Sequence, residues 1–212
     1  MRNYRLLMSL FLLIGLPIYS WSNNDKDAKR KKEKTQILIV GLADNVKSNY
    51  YYNEKIAEET GIPVDRIHEQ FNLIIAQNIA SALPNSGCTF IAGNDNQLSK
   101  EFADQIEVKG EGENSTSSLS NLPSAALEQA LAQAQASYLL VLNQHYLKRQ
   151  EQPMRTVFHI VSYTLYDKNK KEILSGNQFF TYMKLESPEK IKEISRKSSS
   201  KIATSIVKSL DL

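Results

Sequence analysis

Residues 124–183 have the sequence SAALEQALAQAQASYLLVLNQHYLKRQEQPMRTVFHIVSYTLYDKNKKEILSGNQFFTYM, and this stretch decides the fold. Its centre, residues 138–142, is a continuous apolar run of the kind found in strands that are covered on both faces. An alanine-rich segment precedes this run, and two partly alternating segments follow it. The pattern predicts a helix over residues 125–135, a strand over 138–147, and a hairpin of strands 155–166 and 172–183 across the polar turn 167–171.

The segments on either side predict the rest of the domain. Residues 36–42 are β-branched and apolar, which is typical of a central strand. The helix before residues 138–147 enters that strand almost without a loop, which indicates that the two strands are parallel. The other predicted elements are a helix between Pro63 and Pro84, a strand over 88–92, a short helix over 98–106, and a last helix that begins at Ser187. The expected fold class is α/β (α+β), with a mixed sheet of about five strands in the order β-α-β-α-α-β-β-β-α and helices packed on the sheet.

Polar segments connect these elements. We expect residues 45–61 to form a long polar loop and residues 110–122 to form an exposed loop, because the second segment is rich in Gly, Glu, Ser and Asn. Residues 198–200, three serines, are expected on the exposed surface of the last helix. His68 lies on the flank of its helix, where we expect it to be solvated.

The N-terminal residues have the pattern of an export signal. Arg2 and Arg5 precede an apolar run over residues 6–16, and the small residues Ser20 and Ser22 follow it. A transmembrane anchor is the alternative, but the run falls short of the ~20 residues that span a bilayer. We expect cleavage after Ser22 or Ser20. No cysteine lies near these positions, so we expect a soluble periplasmic protein without a lipid anchor.

A charged segment separates this signal from the predicted domain. Residues 25–34 contain six basic and three acidic side chains, which is typical of a solvated tether. The expected organisation is a signal peptide over 1–22, a charged flexible tether over 23–35 and a single α/β domain over 36–212. Contact of the tether with anionic lipid or polysaccharide is the alternative, so any membrane association is expected to be peripheral. The net charge of +3 does not indicate a nucleic-acid partner.

The candidate binding residues follow the first strand. That strand ends at Asp44, and the segment after it carries Tyr50, Tyr51 and Tyr52. Open α/β sheets place ligands in loops beyond the carboxyl ends of parallel strands, so Asp44 and the three tyrosines are the predicted binding residues. The alternative is that some of these tyrosines pack under the loop. The aromatic residues of the 155–183 hairpin, which are also able to pack under helices, are the second part of the predicted contact surface.

Few residues have a pattern that indicates catalysis. Cys88 lies in an apolar strand and is predicted to be a buried thiol. The chain has no nucleophile elbow, zinc-protease motif or glycine-rich phosphate loop. His145 and His159 fall on adjacent predicted strands and form the best metal hypothesis, but no spacing indicates a third ligand. We therefore predict no metal, no cofactor and no enzymatic activity.

Several of these segments together resemble a family of bacterial envelope α/β domains. The matching segments are residues 37–42 with the helix 67–83, the strand 88–91, the helix and strand over 134–142, and the strands 163–167 and 171–175 around their polar turn. The family includes outer-membrane activators of penicillin-binding proteins, the curli-secretion channel lipoprotein and the amino-terminal domain of the Tol translocation protein. The resemblance implies a non-catalytic domain that binds another envelope protein, and it implies no particular contact residue.

Three classes of function remain open from the sequence. The leading hypothesis is an interaction or assembly module of the bacterial cell envelope, which binds an envelope protein through the tyrosine segment and the hairpin. The second is a periplasmic domain that binds a small ligand or a glycan through the same tyrosines. The third is a secreted hydrolase or metalloenzyme that uses His145 and His159.

Overall fold

The computed structural model describes residues 34–93 and 100–212. The predicted signal peptide, most of the predicted tether and residue Leu98 lie outside these ranges. The described residues belong to one compact unit.

The described residues form a mixed sheet with the strand order β3-β1-β6-β7-β8, and β2 pairs with β6 beyond the end of β1. Strand β1 is parallel to β3 and β6, and β2 is parallel to β6, whereas β6, β7 and β8 are antiparallel. The predicted α/β class and the parallel pairing of β1 with β6 are confirmed. The strands are β1 Thr35–Gly41, β2 Val46–Ser48, β3 Cys88–Ala92, β4 Glu107–Lys109, β5 Thr116–Ser118, β6 Tyr138–Gln150, β7 Thr156–Asp167 and β8 Glu172–Tyr182.

Helices cover both faces of the sheet. On one face lie α2 and α5, whose buried residues share a core with β1, β6, β7 and β8, and α4 covers the opposite face of β1 and β6. None of the described helices is both long and apolar enough to cross a membrane. The helices are α1 Asn53–Thr60, α2 Ile67–Ala82, α3 Lys100–Asp104, α4 Ser124–Gln133 and α5 Pro188–Ser209.

Strand β1 is apolar on both faces because it lies between these two cores. Ile37 and Ile39 pack in the core with α2 and α5, whereas Leu38 and Val40 pack in the core with α4. All four side chains are at most 4% exposed. Burial of each such side chain contributes about 1.5 to 3 kcal/mol, so β1 stabilises the fold through both cores.

A β-bulge in β6 decides which side chains face α2. The pairing of β6 with β7 shifts between Leu142 and Gln144, which leaves Asn143 as an extra residue. Side chains of a regular strand alternate between faces, so one extra residue reverses the alternation for everything that follows. His145 therefore lies on the same face as Leu142 and Leu147, and this is the face that carries His159 of β7.

Two predictions about polar segments are wrong. Residues 45–61 contain β2 and α1, because Val46 and Ile56 are buried and bring the polar segment onto the sheet. Residues 110–122 contain β5 and a 3-10 turn instead of a fully exposed loop. Leu119 and Leu122 bury their side chains under α4, and the Tyr166 hydroxyl bonds with Ser117.

The serines of α5 are not exposed as predicted. Ser198 is 5% exposed and Ser199 is completely buried, where α5 packs against α2. Small side chains at this position let the two helices approach closely. The neighbouring Ser195 hydroxyl accepts a hydrogen bond of 2.8 Å from Asn78 of α2.

Gly41 marks the closest approach of α2 to the sheet. A Cβ atom built on Gly41 would lie 2.2 Å from Cγ of Asn72 and 2.4 Å from its Cβ. Asn72 is itself held in place, because its amide donates a hydrogen bond of 2.9 Å to the carbonyl of Leu42. We predict that Gly41→Ala lowers the free energy of unfolding by about 2 to 4 kcal/mol, through overpacking and loss of buried hydrogen bonds.

Urea denaturation followed by circular dichroism measures this loss. Gly87→Ala is the matched control, since a Cβ at that position first meets Leu212 at the chain end, at 3.2 Å. It should cost less than about 1 kcal/mol. Equal stability of Gly41→Ala and the natural protein would show that Asn72 of α2 does not pack closely against Gly41 of β1.

Candidate functional site

The segment after β1 is tied to β6 by buried hydrogen bonds. The chain turns at Asp44, whose φ of 51° is in the left-handed region. The next residue, Asn45, is 4% exposed and donates to the carbonyl of Leu142 (3.1 Å) and to Oδ1 of Asn72 (2.9 Å). Strand β2 then pairs with residues 145–147 of β6. The position of this segment is therefore fixed by the sheet itself.

Two polar side chains, Ser48 and Asn49, hold the backbone between β2 and the tyrosines against β6. Ser48 donates to the carbonyl of Leu147 (2.6 Å) and accepts hydrogen bonds from the amides of Tyr50 and Tyr51. The side chain of Asn49 accepts from the amide of Arg149 (2.8 Å) and donates to its carbonyl (3.1 Å). Asn49 thus extends the pairing of β2 with β6 by one residue through its side chain.

The three predicted tyrosines have different environments. Tyr51 is 8% exposed and belongs to the core, whereas Tyr50 is 55% and Tyr52 is 64% exposed. The alternative that some tyrosines pack under the loop therefore holds for Tyr51 alone. Asp44 bonds with Lys47 (3.0 Å) and does not line the groove beside the tyrosines.

We use the name tyrosine corner for the exposed Tyr50, Tyr52, Met154 and Met183 with the groove beside them. The guanidinium carbon of Arg149 lies 3.7 Å from the centre of the Tyr50 ring and 6.0 Å from that of Tyr51. Met154 and Met183 are 61% and 62% exposed. The groove has a volume of about 310 Å³ and is lined by Tyr51, Glu59, Arg149, Arg155, Met183, Lys184 and Leu185.

The hairpin β7–β8 contributes less to this surface than the sequence predicts. Tyr163, Phe180 and Tyr182 are buried in the core with α2 and α5, and Tyr166 is buried in the core with α4. Phe179 is 56% exposed and contacts Phe158 at 5.8 Å between ring centres. Since Phe179 alternates with Phe180, this pair lies on the opposite face of β8. The open end of the hairpin, where Met183 follows β8, is the part that reaches the tyrosine corner.

A chain of hydrogen bonds between three buried side chains and the half-buried Asn72 lies beneath the corner. We call it the histidine chain, and it consists of Tyr182, His159, His145 and Asn72. The Tyr182 hydroxyl lies 3.2 Å from Nδ1 of His159, whose Nε2 lies 3.1 Å from Nδ1 of His145. Nε2 of His145 lies 3.0 Å from Oδ1 of Asn72. Both histidines are 0% exposed.

Asn72, the last member of the histidine chain, fixes which nitrogen of each ring carries a proton. The Asn72 amide nitrogen donates to the Leu42 carbonyl, so Oδ1 of Asn72 is the atom that accepts from His145. Nε2 of His145 therefore carries a proton, and in a neutral ring its Nδ1 accepts from Nε2 of His159. Nδ1 of His159 in turn accepts from the Tyr182 hydroxyl. Every polar atom of the two rings thus has a partner of the right kind.

Burial keeps both rings neutral. It lowers the pKa of His145 to about 3, with a smaller effect of the nearby His68. Burial also lowers the pKa of His159 well below its usual value, and the neighbouring His145 adds to this shift. The ring of His159 lies between those of Phe71 and Phe180, at 5.1 and 4.5 Å between centres. A charge on either ring would have no water to solvate it.

His68 is not solvated as the sequence predicts. Its Nδ1 accepts a hydrogen bond of 3.0 Å from the amide of Val46, and its Nε2 lies 3.6 Å from Oδ1 of Asp44. Partial burial lowers the pKa of His68, and the carboxylate of Asp44 opposes this shift. His68 therefore helps to hold the start of β2.

The histidine pair meets as the sequence suggested, but its partners are amide and phenol groups. Among residues 34–93 and 100–212, no group of three or more His, Cys, Asp or Glu side chains is arranged to hold a metal ion. The roles of Asn72 and Tyr182 could not be predicted, because both residues are distant along the sequence from the two histidines. The one available signal was the pair of polar residues His145 and His159 within otherwise apolar strands.

Comparison with known proteins finds that this chain is similar to several solved structures. No protein-family model matches the chain, and no curated protein matches it. The hypothetical protein CT253 from Chlamydia trachomatis is 13% identical, with 70% of this chain and 72% of that chain covered and a TM-score of 0.40. The PelC dodecamer from Paraburkholderia phytofirmans is 14% identical, with coverages of 84% and 86% and a TM-score of 0.33.

The LpoB C-terminal domain from Salmonella enterica is a third solved neighbour, 11% identical, with coverages of 69% and 82% and a TM-score of 0.30. All three TM-scores are below 0.5, so we draw the function from the geometry of the tyrosine corner and not from these likenesses.

The neutral histidines predict that acid destabilises the fold. In the unfolded chain each histidine binds a proton near pH 6.5, whereas in the fold His145 and His159 stay neutral to much lower pH. The unfolded state therefore binds more protons below pH 6.5, and the free energy of unfolding falls as the pH falls. Two such groups predict a loss of about 3 to 4 kcal/mol between pH 7 and pH 5, measured by urea denaturation.

His68→Gln is the control for this prediction. His68 is half-buried and contacts the exposed carboxylate of Asp44, so its removal should leave most of the slope in place. A free energy of unfolding that is unchanged from pH 7 to pH 5 would mean that His145 and His159 titrate normally in the fold.

Proposed function

We propose that the protein is an exported, non-catalytic binding module of the bacterial cell envelope, and that it binds another protein through the tyrosine corner. One observation carries this proposal. Tyr50, Tyr52, Met154 and Met183 each expose more than half of their surface, and they follow β2, β6 and β8 at the same end of the sheet. They account for four of the nine large apolar side chains that are exposed in the described ranges. Such clusters mark interaction sites more often than scattered exposed residues do.

The types of residue support a protein partner. Tyrosine, methionine and arginine are enriched in the cores of protein interfaces, and tyrosine and arginine dominate binding energy there. Arg149 stacks on Tyr50, so both side chains are ordered before a partner arrives. The backbone beneath them is held by Ser48 and Asn49. This preorganisation lowers the entropy cost of binding.

The non-catalytic role is proposed from the way reactive groups are used. The nitrogens of His145 and His159 all take part in hydrogen bonds within the core. Burial raises the pKa of Cys88, which favours the unreactive thiol. Neither histidine nor the cysteine is accessible to a substrate at the tyrosine corner.

Export to the periplasm is proposed from the sequence. Arg2, Arg5 and the apolar run over residues 6–16 have the order of a signal peptide, and the fold class agrees with the resemblance to envelope domains. An envelope protein is therefore the proposed partner.

A small ligand or glycan is the second candidate, because a groove of about 310 Å³ lies beside the tyrosines. That volume is near the lower end of small-molecule sites. The guanidinium of Arg149 already covers one face of Tyr50, which leaves one face of this ring for a sugar. A thermal shift with cell-wall fragments, together with no cross-linked protein, would favour this candidate.

Site-specific cross-linking in cells tests the protein-binding proposal. A photo-reactive amino acid at Tyr52, Met154 or Met183 should yield one and the same adduct, identified by mass spectrometry. The control position is Leu73, which is 40% exposed on α2. We predict no such adduct from Leu73.

Alanine substitution then tests which side chains bind. Tyr50→Ala and Met183→Ala should each weaken binding of the captured protein by roughly tenfold or more, since buried interface anchors contribute about 1 to 2 kcal/mol or more. Tyr51 is excluded from this test because it belongs to the core. Cross-linking that is equal at Leu73 and at the corner would contradict the proposal.

A further inference from the structure

The groove at the tyrosine corner has an excess of positive charge. Arg149, Arg155 and Lys184 line it, against a single acidic lining residue, Glu59. Glu59 lies 3.5 Å from Lys55, which offsets its charge. The groove therefore attracts anions.

The carboxylate of Glu151 shows how these arginines bind an anionic group. Glu151 lies 2.5 Å from Nη2 of Arg149 and 3.4 Å from Nε of Arg155, so it bridges the two guanidinium groups. Glu151 does not line the groove. Part of the donor capacity of both arginines is thus left for a second carboxylate.

Arg149 has a donor without a partner. Its Nε is buried and makes no hydrogen bond within the described part of the chain. The side chain is 13% exposed and is fixed by Glu151 on one side and the Tyr50 ring on the other. The guanidinium group of Arg149 lines the groove, and its two terminal nitrogens carry four N–H groups, more than one carboxylate oxygen of Glu151 can accept.

Lys184 is also available to bind a carboxylate. It is exposed, lies two residues beyond the end of β8, and makes no ion pair with any other residue in the ranges 34–93 and 100–212. Lysine binds a carboxylate as a flexible point charge, while arginine adds directed donors. The groove combines both.

We propose that this groove binds a carboxylate side chain in an acidic segment of the partner protein. Arg155 and Lys184 supply the charge, and the guanidinium group of Arg149, which also lines the groove, supplies further N–H donors. The apolar neighbours of that carboxylate pack on Tyr50, Tyr52, Met154 and Met183. This inference rests on the proposed protein-binding function and specifies the chemistry of the partner.

The composition of the groove favours an acidic peptide over other anions. The lining carries three cations and one carboxylate, which suits a single carboxylate better than the dense row of charges of a nucleic acid or a highly charged polysaccharide. A carboxylate spaced between apolar residues fits three cations surrounded by tyrosine and methionine. The volume of about 310 Å³ accommodates a few side chains.

The test is a titration of the isotope-labelled protein with two acetylated octapeptides, followed by NMR of the Met154 and Met183 methyl groups. One peptide alternates glutamate with leucine, and the other alternates glutamine with leucine. We expect the glutamate peptide to bind at least about tenfold more tightly, and its advantage to shrink when salt is raised from 50 to 500 mM. Shifts should centre on both methyl groups.

Substitutions of the groove cations test where the glutamate side chains of the peptide bind. Lys184→Gln and Arg155→Gln should each weaken binding of the glutamate peptide by about fivefold or more. Lys148→Gln is the matched control, because Lys148 adjoins Arg149 in β6 but pairs with Glu113 at 2.9 Å and does not line the groove. It should bind the peptide as the natural protein does. Unchanged thermal midpoints check that all three variants fold.

Equal affinity for the two peptides, or equal loss in Lys184→Gln and Lys148→Gln, would overturn the carboxylate site. So would binding to vesicles that contain phosphatidylglycerol through Arg155 and Lys184 without binding to either peptide. If cross-links at the corner persist in these cases, the protein-binding function stands and its acidic specificity fails. If the glutamate peptide binds but no cross-link forms in cells, the carboxylate site stands and the proposed function fails.

Discussion

The buried hydrogen bonds from Tyr182 through His159 and His145 to Asn72 are the interaction on which the rest of the structure depends. They join β8, β7, β6 and α2 within the core. Each bond satisfies a polar atom that has no access to water, so loss of one partner leaves an unpaired group at a cost of about 1 to 3 kcal/mol. Along the histidine chain each group donates a hydrogen bond to the next, from Tyr182 to Asn72. This pattern requires both histidine rings to be neutral.

This arrangement connects the core to the surface. Tyr182 immediately precedes Met183, which lines the groove, and Asn72 contacts Asn45 at the start of the segment that leads to the tyrosines. The exposed side chains of the tyrosine corner are therefore presented by backbone whose position is set in the core. A polar core network is thus the physical basis of a preorganised binding surface, since polar groups specify position more narrowly than apolar packing does.

The sequence predicts the parts of the fold that follow from apolar patterns. The runs in β1 and β6 are long and uninterrupted, so their parallel pairing and burial could be predicted. The three-residue strand β2 is too short and polar to show a period, and it forms because β6 extends beyond β1. The bulge at Asn143 has no local signal, yet it decides the direction of His145. At the candidate site, the exposure of Tyr50 and Tyr52 was foreseeable, whereas the burial of Tyr51 and the partners of both histidines depend on long-range contacts.

The most direct measurement of this account is the nitrogen NMR spectrum of the histidine side chains at pH 6. It should show His145 and His159 as neutral rings with the proton on Nε2 and an unprotonated Nδ1 that accepts a hydrogen bond. Substitution of Tyr182 by phenylalanine should shift Nδ1 of His159 and leave its tautomer unchanged. A charged ring, or a proton on Nδ1 of either histidine, would contradict the arrangement on which the tyrosine corner rests.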